Sequence, residues 1–172
     1  MKYAGNKNGF GIVELLIAMA ITAMLLAAVA VAFNASMMNY RQNEDIFKAI
    51  NSARQAMFRI TTQLRTGYAV DPNSPANECS FFTAGGEDIT YRFVGADSKL
   101  YLITNDDLTD SDYLLCDNIT AMTFTRVTAI DPSDGLEYTK SVQIFITVEI
   151  GDAQRTVTSA AVIRRNILLE DI

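Results

Sequence analysis

The feature that most constrains this chain is an apolar run near its N-terminus. Between Phe10 and Phe33 the residues are apolar except for Gly11, Glu14 and Thr22. As a helix with a rise of ~1.5 Å per residue, this run would be roughly 36 Å long, whereas the hydrocarbon core of a bilayer is about 30 Å thick. The sequence therefore predicts a single membrane-spanning helix over residues 10–33.

Charge predicts the orientation of this helix. Lys2 and Lys7 precede the run, and no acidic residue lies among residues 1–9. Because positively charged flanks tend to stay in the cytoplasm, we expect everything after Phe33 to lie on the far side of the membrane. The formal net charge of -6 then leaves the exported part acidic. A nucleic acid is therefore not an expected partner, since its recognition requires a basic patch.

Two plainer interpretations of the run stay open. It could be a cleaved secretory signal peptide, with the Ala30-Val31-Ala32 stretch as the cleavage site, or a plain signal anchor in which Glu14 reaches the interface. Against the signal peptide, the run exceeds the ~7 to 15 apolar residues that are usual there. A carboxylate within a membrane helix also costs on the order of 2.5 to 3.5 kcal/mol, so such a residue is usually retained for a function.

A specific pattern surrounds the start of the run. A short basic leader ends in Gly9, which is followed by Phe10, by Glu14 and by the stretch 15–20, LLIAMA. This arrangement resembles the N-terminal signal of type IV prepilins, and it is specific because the cleavage point, aromatic residue, acid and apolar run must coincide. The resemblance implies that an inner-membrane prepilin peptidase cuts between Gly9 and Phe10 and methylates the new amino terminus.

The resemblance also implies a role for Glu14 in assembly. Within the packed helices of a filament, the Phe10 ammonium and the Glu14 carboxylate would each be costly alone. In the family this glutamate is thought to meet the amino terminus of a neighbouring subunit, which would set the axial register. Gly11 departs from the hydroxyl residue that is common at its position. Val31 lies where many major pilins have a kinking proline, which favours a minor subunit.

Beyond the apolar run the pattern becomes that of an amphipathic helix. Apolar residues recur at spacings of three and four, with charged residues on other faces. The residues of this stripe are Ile46, Ile50, Ala53, Met57, Ile60 and Leu64. Because neither Gly nor Pro occurs in residues 35–66, we expect one helix over residues 10–64 that ends near Gly67. The alternative is a helical hairpin broken at residues 34–39.

The chain after Gly67 has the alternation of β-strands instead. The predicted strands are residues 89–94, 99–103, 119–127, 141–150 and 155–163. A short turn containing Gly95 joins the first two, and Gly151-Asp152 joins the last two. The predicted fold class is therefore α+β, with a long N-terminal helix packed on an antiparallel β-sheet, which is also the architecture of pilins.

These patterns divide the chain into four segments. Residues 1–9 form a leader peptide and residues 10–33 a transmembrane or filament-core helix. Residues 34–66 are the amphipathic continuation of that helix. Residues 67–172 form a periplasmic domain rich in β-structure.

Two cysteines, Cys79 and Cys116, lie in the exported part. In that compartment a pair of thiols is more often a disulfide than a metal site. We therefore expect a bridge between Cys79 and Cys116. It would close a loop of about 38 residues and contribute roughly 3.9 kcal/mol through chain entropy.

A cluster of carboxylates is a candidate calcium site. Residues 105–112 read NDDLTDSD, and oxygen ligands at short spacing bind calcium outside the cytoplasm. The candidate ligands are Asp106, Asp107, Asp110 and Asp112. The stretch matches an EF-hand loop poorly, so a simply solvated acidic loop is the alternative. No other cofactor is expected.

The sequence gives little support for catalysis. It contains no His, no glycine-rich phosphate loop, and no Ser or Cys with an obvious base, so we do not expect an enzyme. The chain resembles the larger minor pilins and the J-type pseudopilins of type II secretion. The stretches that carry this resemblance are residues 52–65 (SARQAMFRITTQLR), 89–93 (ITYRF), 118–127 (NITAMTFTRV) and 161–166 (AVIRRN). Its expected partners are the prepilin peptidase, other pilins or pseudopilins, and the inner-membrane assembly platform.

The expected location follows from the same features. The protein would cross the bacterial inner membrane once, with its C-terminal domain in the periplasm, before assembly into a type IV pilus or a pseudopilus. An alternative function is a tip adhesin or receptor that uses the same anchor. Its binding surface would be the loops at residues 105–112 or 131–135.

Overall fold

The computed structural model of the protein describes residues 11–107, 109, 112–132, 135 and 137–164. The chain divides into two compact units, Met1–Arg41 and Gln42–Ile172. One long helix, α1 (Ile12–Thr66), comes first among the described residues. Seven strands follow it in this part of the chain: β1 (Glu78–Phe82), β2 (Asp88–Val94), β3 (Lys99–Thr104), β4 (Tyr113–Cys116), β5 (Ile119–Ile130), β6 (Glu137–Ile150) and β7 (Ala153–Val162).

The first part of α1 is built from strong helix formers. Residues 12–33 are mainly Ala, Leu, Ile and Met, and they include neither Gly nor Pro. A hydrogen bond from Leu15 N to Gly11 O at 3.2 Å closes the first turn. Glu14 lies in the same turn, where a carboxylate interacts favourably with the positive end of the helix dipole.

The second part of α1 buries one stripe of side chains. The buried residues are Ile46, Ala49, Ala53, Ala56, Met57, Ile60, Thr61 and Leu64. This set agrees with the predicted stripe, to which Ile50 adds a partly buried side chain. Because α1 continues unbroken from Ile12 to Thr66, the prediction of a single long helix is confirmed and the helical-hairpin alternative is wrong.

The end of α1 coincides with a close approach to β1. Gly67 N donates to Gln63 O at 2.7 Å. A Cβ atom at Gly67 would lie 2.7 Å from Phe81 Cδ2 and 2.8 Å from the carbonyl oxygen of Phe82. Only glycine fits this approach without a shift of its neighbours, which gives the predicted helix end a steric basis.

The strands form two antiparallel sheets, whereas the sequence predicted one. The first sheet has the order β1-β2-β3-β4 and the second the order β5-β6-β7. Asn118 lies between β4 and β5 with a φ of 56°, in the left-handed region, where the chain leaves the first sheet. The predicted strands correspond to β2, β3, β5, β6 and β7, and the sequence patterns missed β1 and β4.

The hydrophobic core of the second unit combines residues of α1 and of both sheets. Alternate side chains of β6 point into it, and they are Val142, Ile144, Ile146 and Val148. The largest fully buried side chains of the other elements are Tyr91, Phe81, Phe124, Ile60, Leu64, Leu100 and Ile119. Burial of an aliphatic side chain of this size contributes about 1.5 to 3 kcal/mol. This core therefore stabilises the second unit, Gln42–Ile172, which we call the head.

Candidate functional site

The candidate functional site is the apolar first part of α1. Its most apolar window of 18 residues has a mean hydropathy of 2.7, and 0 % of that window is buried. The exposed fraction is 80 % for Ile12 and still 68 % for Phe33. By length and composition, α1 can therefore cross a membrane.

Glu14 is the only charged residue between Gly11 and Arg41. It is exposed in the first turn of α1. The residues one turn later, Ile17 and Ala18, are apolar and cannot form the ion pairs that stabilise exposed helix charges. In an apolar surrounding, the carboxylate would therefore need a cationic partner from outside this stretch of helix.

The two predicted processing residues, Gly9 and Phe10, lie outside the described residues. Cleavage between them stays a prediction from the sequence. The same holds for the leader at residues 1–9.

The predicted disulfide between Cys79 and Cys116 is not formed in the structure. Cys79 and Cys116 are both buried free thiols. They lie on β1 and β4, which are the two edge strands of the first sheet, with β2 and β3 between them. Three strand spacings of about 4.8 Å place the residues on the order of 14 Å apart, whereas a bridge needs Cα atoms within about 7 Å.

Both thiols are in environments that favour the protonated form. Burial raises the pKa of Cys79 to about 12, which the nearby Arg126 guanidinium partly opposes. Burial also raises the pKa of Cys116 to about 11, and the Asp117 carboxylate adds to the shift. The Cys116 thiol donates a hydrogen bond to the carbonyl oxygen of Asp117 at 3.4 Å. Neither thiol has the lowered pKa of a reactive cysteine.

Arg126 connects the two sheets, a role that the sequence does not indicate. It lies on β5, and its guanidinium Nη2 donates to the carbonyl oxygens of Pro75, at 3.5 Å, and of Glu78. Arg126 is half-buried, and its positive charge is the one that partly opposes the rise in the pKa of Cys79. An arginine within an alternating strand carries no signal of such a role, because its partners are backbone atoms of a distant segment.

Hydrogen bonds fix the acidic loop both to β2 and within the loop itself. Asp106 Oδ2 accepts from Asp88 N at 2.9 Å, and Asp107 Oδ1 accepts from Thr109 N at 2.9 Å. Asp112 is exposed. Asp110 lies outside the described residues, so the candidate calcium site stays a prediction. In the part of the chain that the structure describes, no three His, Cys, Asp or Glu residues are grouped so that they could hold a metal ion.

The loops of the predicted tip-binding surface are described only in part. In the first, the side chain of Asn105 donates to Asp88 Oδ1 and to Thr90 Oγ1, each at 2.9 Å. In the second, residues 133 and 134 lie outside the described residues. These loops therefore give no geometry for a ligand.

Comparison with known proteins identifies the N-terminal signal. Residues 5–30 match the family model of the prokaryotic N-terminal methylation motif. No curated protein and no solved structure matches the chain. The prediction of a type IV prepilin-like signal is confirmed, and the motif indicates a type IV pilin-like protein.

The methylation motif has implications for processing and assembly. The motif implies processing by a prepilin peptidase and assembly with other pilins. Pilin-like proteins that carry it are structural subunits rather than enzymes. The long apolar first part of α1 is consistent with the membrane anchor of such a subunit.

Proposed function

We propose that the protein is a minor pilin or pseudopilin, cleaved after Gly9 and N-methylated at Phe10. It would be assembled into a type IV pilus or a type II secretion pseudopilus. The observation that carries this proposal is the first part of α1, an apolar window with 0 % of its residues buried, which overlaps the methylation motif at residues 5–30. An uncovered surface of this kind requires lipid or other apolar helices around it.

The single charge of this surface supports an assembly role. Before assembly Glu14 lies near one end of the apolar helix, where the interface limits its cost. Among packed helices the same carboxylate would be stabilised by the ammonium of a neighbouring subunit's Phe10. Removal of one partner of a buried ion pair costs about 3 to 5 kcal/mol, because the other charge is left uncompensated.

The proposed orientation places the second unit in the periplasm. Lys2 and Lys7 precede the anchor and favour a cytoplasmic N-terminus. Among the described residues, the core of the second unit extends from Ile46 to Ile163. Val31 in place of a kinking proline supports a minor rather than a major subunit.

A substitution of Glu14 separates assembly from simple anchoring. In the native host, Glu14→Leu should still be inserted and cut after Gly9, but it should not co-purify with the other pilin-like subunits. Glu14→Asp retains the charge and serves as the matched control. Western blotting of the membrane and filament fractions measures both steps, and mass spectrometry locates the cut.

The plain-anchor alternative predicts the opposite effect of Glu14→Leu on assembly. If Glu14 is only tolerated, its replacement by Leu removes a cost of insertion and leaves assembly normal or increased. Recovery of processed Glu14→Leu protein in filaments at the level of the wild type would therefore reject the pairing mechanism.

A further inference from the structure

Within the described part of the chain, β7 is a long edge strand with one side that no other strand covers. It ends the order β5-β6-β7 and pairs with β6 from Ile150↔Ala153 to Ser141↔Val162 without a register shift. Among the described residues, no segment other than β6 makes backbone hydrogen bonds to Ala153–Val162. An antiparallel strand directs alternate N–H and C=O groups away from its partner, so this side of β7 offers a row of unpaired groups.

The other edges of the two sheets are shorter, covered or irregular. The free side of β1 is joined by a bridge between Tyr68 and Phe82. β4 is only 4 residues long. β5 has two register shifts against β6, and its Phe124 N donates to Ala76 O at 2.7 Å.

β7 also lacks the residues that usually protect an edge. Soluble proteins block edge strands with Lys, Pro, bulges or short length. The sequence of β7, AQRTVTSAAV, contains no Pro, no Lys and no acidic residue, and Arg155 is its only charge. An unprotected edge of 10 residues is suited to strand addition, in which backbone hydrogen bonds supply affinity and neighbouring side chains supply specificity.

The surface beside this edge indicates the chemistry of an added segment. A groove of about 300 Å³ separates α1 from β7. Arg54 and Arg65 line it, and none of its lining residues is acidic. Phe58 lies between these arginines on the same helix face, with 74 % of its surface exposed. The groove is thus basic with an aromatic rim, on a chain whose net charge is -6.

We propose that β7 accepts an added strand from a neighbouring pilin-like subunit. The added segment would carry a carboxylate that meets Arg54 or Arg65 and an apolar side chain that packs on Phe58. This inference rests on the proposed assembly into a filament. The surface of the head that a neighbour contacts is then the free side of β7 with the groove beside it. Charge complementarity to the groove selects an acidic segment over a basic one.

Site-specific photo-crosslinking tests this contact in the full-length chain. A benzophenone amino acid replaces Thr158, an exposed residue of β7 that lines the groove. The control position is Thr125, an exposed residue of β5 in the same sheet. In the native host, position 158 should crosslink to an acidic, extended segment of another subunit that carries the methylation motif. Mass spectrometry of the crosslinked peptide identifies that segment.

Charge reversal in the groove provides the second measurement. Arg54→Glu should lower the yield of this crosslink about tenfold or more, because the incoming carboxylate then meets a like charge. Lys140→Glu changes the net charge equally at an exposed position of β6 and should leave the yield unchanged. Retention of the wild-type thermal midpoint shows that each variant is folded.

Several outcomes would overturn the inference. Crosslinks from position 158 to residues 165–172 of the same chain, to lipid, or at no higher yield than from position 125 would each reject strand addition. If these occur while the dependence of co-purification on Glu14 is intact, only this inference fails. If the chain does not co-purify with pilin-like subunits at all, the proposed function and this inference fail together.

Discussion

The pairing and the pKa of the Cys79 thiol depend on residues that are far from it in sequence. The anchor before it predicts an exported location, and that location in turn predicts a bridge to Cys116. Pairing, however, requires two residues to meet, and β2 and β3 separate the strands that carry them. Glu14 is the opposite case, because it lies inside a motif that is continuous in sequence, at residues 5–30.

The raised pKa of Cys79 should make stability fall at alkaline pH. An unfolded thiol titrates near 9.0, whereas the folded state holds its proton up to a pKa of about 12. The unfolded state therefore loses its proton first, so this contribution is complete below about pH 9 and decreases as pH rises. Removing the thiol in Cys79→Ala should reduce the slope by up to about 1.4 kcal/mol per pH unit.

Denaturant titrations of the detergent-solubilised chain between about pH 8 and 11 measure this slope. The absolute stability of Cys79→Ala changes because a side chain is lost, but that offset is independent of pH. Tyr91, whose pKa burial raises to about 12, is present in both proteins, and the substitution removes only the last-ranked cause of its shift, the charge interaction with Cys79. Parallel curves for wild type and Cys79→Ala would contradict the prediction.

Secondary-structure elements were predictable where a periodic pattern was long enough. β6 and β7 extend over 14 and 10 residues, long enough for the alternation that predicts a strand. β1 and β4 are the shortest of the described strands, with 5 and 4 residues, so a pattern within them is weak evidence, and their pairing with β2 and β3 decides their conformation. The chain passes from the first sheet to the second at Asn118, whose φ of 56° is not indicated by any hydrophobic pattern.

Gly67 controls how α1 meets β1, so Gly67→Ala should destabilise the head. The new Cβ would lie 2.8 Å from the backbone oxygen of Phe82, which cannot move as freely as a side chain. We expect a loss of about 1 to 3 kcal/mol in the free energy of unfolding, as for overpacked cores. Gly85→Ala is the control, because its nearest contact would be Thr83 Oγ1 at 3.7 Å. Equal denaturation midpoints for the two variants would refute the steric account.

The two units of the molecule have opposite requirements for solvent. The first, Met1–Arg41, contains an apolar helix window that no described residue covers. The second, Gln42–Ile172, contains the hydrophobic core that the described residues form. The apolar helix of the first unit could be predicted because length and composition alone indicate a helix that can cross a bilayer. Packing of the second depends on contacts between distant strands, so the sequence indicated its class but not its sheet order.

A matched pair of isoleucines tests this division in the full-length chain. Ile60 in the core is 0 % exposed, so Ile60→Ala leaves a cavity and should lower the free energy of unfolding of the head by about 2 to 5 kcal/mol. Ile21 in the apolar window is 54 % exposed, and Ile21→Ala should change the same quantity by less than about 0.5 kcal/mol. Denaturant titration in detergent, followed by near-ultraviolet circular dichroism, reports on the head because buried Tyr91 and Phe81 lie there. A comparable loss of stability in both variants would show that the head draws on the anchor for its folding.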